Sequence, residues 1–168
     1  MKQISIVFSK HSGFNLFSTM IMWGTKAPFS HVAIKMMDGD TDQTVYYQAS
    51  GLMVNCVGED EFLAAETIVC KKDVIVSDKV FKAGKSFAIN QLGKPYNMMA
   101  ILGFAWQILL SRVGIKINNP FKADGNQYVC SQFAAAFIDA SENINLDVTD
   151  MTPKTLFDSL KDLPAIWN

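Results

Sequence analysis

Residues 128–140 read YVCSQFAAAFIDA, and the fold turns on how this stretch is read. Cys130, Phe133, Ala134, Phe137 and Ile138 recur at i, i+3, i+4, i+7 and i+8, the spacing of one buried helix face. The run before it, NNPFKADGNQ, reads as loop, so the cysteine falls in the first helical turn. Backbone N–H groups there have no intrahelical acceptor and the macrodipole is positive. Both effects favour a thiolate, and the same N–H groups can receive an oxyanion. Cys130 is therefore a candidate nucleophile and its backbone N–H a candidate oxyanion donor. Packing alone also accounts for a cysteine at this spacing, so partners must be found elsewhere.

A thiolate nucleophile needs a base, and the chain has two histidines, His11 and His31. His11 lies in the polar run SKHSGF and reads as a surface residue. His31 opens HVAIKMM, where Val32, Ile34 and Met36 share one strand face and His31 and Ala33 the other. After the polar turn DGDTDQ comes TVYYQAS, with Val45, Tyr47 and Ala49 on one face and Tyr46, Gln48 and Ser50 on the other. Matching apolar faces in a hairpin pairs Val32 with Tyr47 and Ile34 with Val45. That register sets Gln48 opposite His31, where its amide oxygen can accept the imidazole N–H and fix the tautomer.

Further out, QISIVFS reads as a first strand, FNLFSTMIMWGT as a helix ended by Gly24, and LMVNCV and ETIVCKKD as short strands. The acidic piece GEDEFLAA between them reads as turn or solvated face. Helices follow over SDKVFKAGKSFAINQLG, the apolar NMMAILGFAWQILLSRVG, the Cys130 stretch and TPKTLFDSLKDL, where Thr152 suits the N-cap and Pro153 the first helical position. Strands grouped before segregated helices argue for an α+β fold with a small antiparallel sheet. No linker, repeat or low-complexity run divides residues 1–168, so one domain is expected.

Composition excludes several functions. With 49% hydrophobic and 18% charged residues the chain is globular, and a net charge of −1 argues against a nucleic-acid partner. Cys56, Cys70 and Cys130 form no CxxC pair and meet no histidine cluster, so neither a metal nor a disulfide framework is expected. Packing explains Cys56 and Cys70. DGDTDQ lacks the glycine and acid that a calcium loop requires. The uninterrupted apolar core 98–106 is far short of the ~18 residues of a membrane span. It reads as a buried helix, or as one lying on lipid or a partner. No cofactor, signal peptide or transmembrane segment is expected; a reducing, cytoplasmic or phage-associated setting suits the chain.

PFSHVAI, YYQAS, LGKPYN and YVCSQF, in this order, resemble the motifs of the circularly permuted NlpC-type papain-like fold, with its YiiX-like and lecithin retinol acyltransferase-like branches. Histidine precedes cysteine in that group, as here, and the resemblance covers roughly residues 1 to 145. It implies Cys130 as nucleophile, His31 as general base and Gln48 as third polar residue. In the YiiX-like branch an acid is expected at that third position; an amide can orient the ring but not neutralise an imidazolium. Tyr96 in GKPYN matches a tyrosine near the site, and with Trp23 and Tyr128 it is a candidate substrate-binding residue. The implied activity is a cysteine hydrolase of peptide or amide bonds. Two alternatives are a lipid acyltransferase or thioesterase, touching membranes peripherally through the apolar segment, and a binding domain that has kept the fold without the chemistry.

Overall fold

The alternating strands build the frame on which the site rests. A computed structural model describes residues 2–37, 43–101, 103, 110, 114–115, 126–142, 146–148 and 151–161. The elements run β1 (Lys2–His11), α1 (Leu16–Thr25), β2 (His31–Met37), β3 (Thr44–Ser50), β4 (Met53–Gly58), α2 (Glu59–Ala65), β5 (Glu66–Val76), α3 (Asp78–Gln91), α4 (Cys130–Glu142) and α5 (Pro153–Ser159). The five strands form one antiparallel sheet in the order β4-β3-β2-β1-β5. This is the α+β architecture expected. The turn at 38–42, most of the apolar segment after Met98 and the loop 118–125 lie outside the described residues.

Period-two alternation sorts the side chains between two layers. Ile4, Ile6, Phe8, Val32, Ile34, Met36, Tyr47 and Ala49 face the main core, where α3 and α4 supply Phe81, Ala88, Phe133, Phe137 and Ile138. Val7, Ala33 and Tyr46 face the other way, under Phe62 of α2. Phe62 stacks on Tyr46 with ring centroids 4.0 Å apart. The acidic piece is thus a short helix: Glu59, Asp60 and Glu61 occupy its first turn, where the dipole favours them, and Phe62 anchors it.

The β2–β3 register differs from the expected one. Ile34 pairs with Tyr47 and Met36 with Val45, a slide of two residues. Face matching fixes register only to within an even number of residues, so both pairings satisfy the pattern. Continuing the observed ladder puts Gln48 opposite Ala33. It stays on the His31 face but sits diagonal to the imidazole. Cys56 is a second correction. It is exposed on the edge strand β4, whereas Cys70 packs against the core.

Helix α4 is held at both ends. Gly84 of α3 lies so close that an added Cβ would stand 2.6 Å from both the Phe137 ring and Ser141 Oγ. At the other end Gln132 Oε1 accepts the Val129 N–H at 3.2 Å, and Ser131 Oγ donates to the Met151 carbonyl at 2.5 Å. The capping box of α5, in which Thr152 and Thr155 bond each other's backbone, fixes the far side of that contact.

Candidate active site

Cys130 and His31 meet at the end of the sheet, not across one of its faces. His31 is the first residue of β2 and Cys130 the first of α4; the thiol Sγ lies 4.0 Å from the Ser30 carbonyl oxygen. Both side chains are buried, and the thiol lies near enough to the imidazole to favour its charged form. On the far side of the ring, Nε2 lies 2.7 Å from Gln48 Oε1. The amide oxygen can only accept, so Nε2 carries a proton and Nδ1 is left for the sulfur. The diagonal placement of Gln48 serves this contact, since a long side chain reaches a diagonal neighbour in an antiparallel pair.

Burial pulls the His31 pKa down. The neighbouring Cys130, the charge of Glu66 and the Gln48 bond outweigh it, lifting the pKa to about 9. The balance favours an imidazolium beside the sulfur, and an adjacent cation is what activates a cysteine for nucleophilic attack.

Glu66 was not singled out from the sequence, where it only opens the expected strand ETIVCKKD. The register explains how it arrives. Phe8 pairs with Cys70, but Ser9 pairs with Ile68, so a bulge adds one residue to β5 between them. After the bulge, the even-numbered Cys70, Val74 and Val76 of β5 face the main core; before it, Ile68 packs in the second layer beside Val7 and Ala33, and Glu66 turns the same way. Ser9, the direct partner of His31, donates its hydroxyl to Glu66 Oε2 at 2.8 Å. A bulge that re-aims side chains beside a site is a recurring device. No local signal in the sequence announces it.

Tyr96 is brought to Cys130 by a strap. Residues 96 and 128 form an isolated parallel bridge, and the Asn97 N–H donates to the Tyr128 carbonyl at 2.9 Å. The buried Tyr96 hydroxyl lies beside Cys130, and the two residues line the same cavity. The Tyr96 pKa is pushed up, first by burial and then by the cysteine's charge, so it stays a proton donor. Tyr128 is buried against Phe133 and donates its hydroxyl to Gln91 Oε1 at 3.2 Å; it holds the strap and lines neither cavity described next. Trp23 is exposed on α1 and also lines neither. Sequence reading placed it near the cleft because α1 leads to the His31 loop, but its side chain lies on the outer helix face.

Two cavities flank the pair. One, of about 280 Å³, opens on Cys130 between mainly apolar walls that include Met20, Ile21, Ile101, Val129 and Pro153. The other, about 240 Å³, lies on the His31 side and is lined by His11, Ser18, Glu66 and Ser50 among others. Ser30, Tyr96, Ile21 and Ile101 border both.

No protein-family profile and no curated protein matches the chain. Among solved structures it is similar to the crystal structure of the metalloprotein yiiX from Escherichia coli O157:H7. The two share 16% identity at a TM-score of 0.50, over 94% of this chain and 91% of that one. The fold is therefore YiiX-like. Among the described residues no three His, Cys, Asp or Glu side chains gather as a metal site requires.

Proposed function

We propose that the chain is a thiol hydrolase of amide bonds on a permuted papain-like fold, working through an acyl-enzyme on Cys130. The chain of contacts from Cys130 through His31 to Gln48 carries this reading. Cys130 Sγ adds to the carbonyl carbon and the carbonyl electrons move onto its oxygen. The Cys130 N–H and the hydroxyl of the neighbouring Tyr96 stabilise that oxyanion. The C–N bond then breaks as the His31 imidazolium protonates the leaving amine, giving a thioester and neutral His31. Water attacks the thioester while His31 takes its proton. The carboxylic product departs and the thiolate–imidazolium pair is restored.

The apolar cavity beside Cys130 favours a second reading, in which the acyl group is a lipid chain and the scissile bond an ester or thioester. Matched anilide, ester and thioester substrates with short polar or long apolar acyl groups separate the two. The prior experiment is iodoacetamide labelling of each cysteine against pH, read by mass spectrometry. Cys130 is expected to label fast well below pH 8 and to slow in His31→Ala. In turnover, His31→Ala should cost about 10²–10⁴-fold. If Cys130 labels no faster than an ordinary thiol and His31→Ala changes nothing, the chain is a binding domain.

A further inference from the structure

Helix α1 is apolar on the outside. LFSTMIMWGT has no charged residue, and none of its residues is buried. Phe14 just before it is 89% exposed; Leu16, Phe17, Met20 and Trp23, at i, i+1, i+4 and i+7, are 60%, 43%, 37% and 57% exposed on one face. Ser18 turns inward, its Oγ 2.6 Å from Ser30 Oγ, while Thr19 and Thr25 donate their hydroxyls to the Asn15 and Ile21 carbonyls at 2.9 and 2.7 Å. Single exposed hydrophobes are ordinary, but a contiguous stripe of five large ones marks a surface meant to be covered.

The charge around the stripe identifies the cover. Residues 1–37 contain four lysines and no aspartate or glutamate; Lys2 lies over Phe81 and Lys35 pairs with Glu59, so Lys10 and Lys26 are the two that flank the helix. Both are exposed. A protein interface ordinarily has a polar rim of both signs, whereas an interfacial helix sets Trp, Phe and Leu into lipid with cations reaching the headgroups. Ten residues are half of what spanning requires, so such a helix lies in the membrane plane.

We infer that the outer face of α1, with Phe14, is a docking surface for an anionic lipid bilayer. The same helix walls both cavities: Met20 and Ile21 border the one on Cys130, Phe17 and Ile21 the one on His31. Docking therefore holds the mouths of both at the bilayer surface. The inference stands independently of the chemistry proposed for Cys130, and its test reads binding, not turnover.

The test is co-sedimentation of the full chain with vesicles of phosphatidylcholine, alone or mixed with phosphatidylglycerol, at low and physiological salt. The wild type should bind the anionic vesicles, less so as salt rises, with a blue shift in tryptophan fluorescence that Trp23→Phe abolishes. Leu16→Ser with Phe17→Ser should weaken binding at least about tenfold, since two exposed apolar side chains no longer enter lipid. Both positions face solvent, so circular dichroism should show the variant folded. Lys10→Glu with Lys26→Glu should remove the preference for anionic lipid. A wild type that stays in the supernatant at every composition overturns the inference, as does binding indifferent to the apolar double variant. So does a solution dimer that binds no vesicle and becomes monomeric in that variant, which would assign the face to a second copy of the chain.

Discussion

His31 is where opposing forces can be measured directly. Burial alone would neutralise it; the Cys130 sulfur and Glu66 keep it charged up to about pH 9. Its pKa is raised above the unfolded value, so the stability it contributes is fully present below about pH 6.5 and is lost as pH rises through about 9. An NMR titration of the His31 ring should show its midpoint near 9. Glu66→Gln removes a negative charge while keeping the hydrogen-bonding shape, so the midpoint should fall; Ser9→Ala, which only frees the carboxylate, should lower it less. No movement in Glu66→Gln would mean that this carboxylate does not act on the ring. At this scale the sequence was informative about Cys130, His31 and Gln48, because strand parity and helix spacing decide which face each one takes. It did not reveal Glu66, 57 residues from Ser9, which belongs to the site only because a bulge in β5 turns it there.

Among the elements, α4 controls where the thiol stands, and its seat on α3 depends on one missing side chain. Gly84 lies mid-helix, where Ala would ordinarily gain about 1 kcal/mol. Here the new Cβ would press on Phe137, which is fully buried and has no free space to move into. Gly84→Ala should therefore be destabilising by about 1–2 kcal/mol net, read as a lower midpoint in urea, with slower Cys130 labelling as the helix start shifts. Unchanged stability would show that the two helices can separate at no cost. Elements with strong periodicity were legible: β2 and β3 run over the expected residues, and Thr152 and Pro153 start α5 as their chemistry suggests. Helix α2 was not, since seven residues with one anchoring aromatic carry no period; it forms because Tyr46 and Lys35 wait on the sheet for Phe62 and Glu59.

Over the whole molecule, an aromatic trio ties the layers together. Phe8 of β1, Phe29 before β2 and Phe157 of α5 have centroids 4.9, 5.2 and 5.4 Å apart. Phe29→Ala opens a cavity two residues from His31 and should cost about 3–5 kcal/mol, with Cys130 labelling losing its dependence on His31 as the strand start loosens. A variant that is destabilised while keeping that dependence would separate the trio's packing from the site's geometry. The sequence by itself determined the class of fold, the order of most elements and which face each residue occupies, because periods of 2.0 and 3.6 are local properties of the backbone. Only the tertiary structure decided the hairpin register, the meeting of strand end with helix start, the arrival of Glu66 and the outward turn of α1. Each depends on contacts between segments far apart in the chain, where parity allows several solutions and packing selects one.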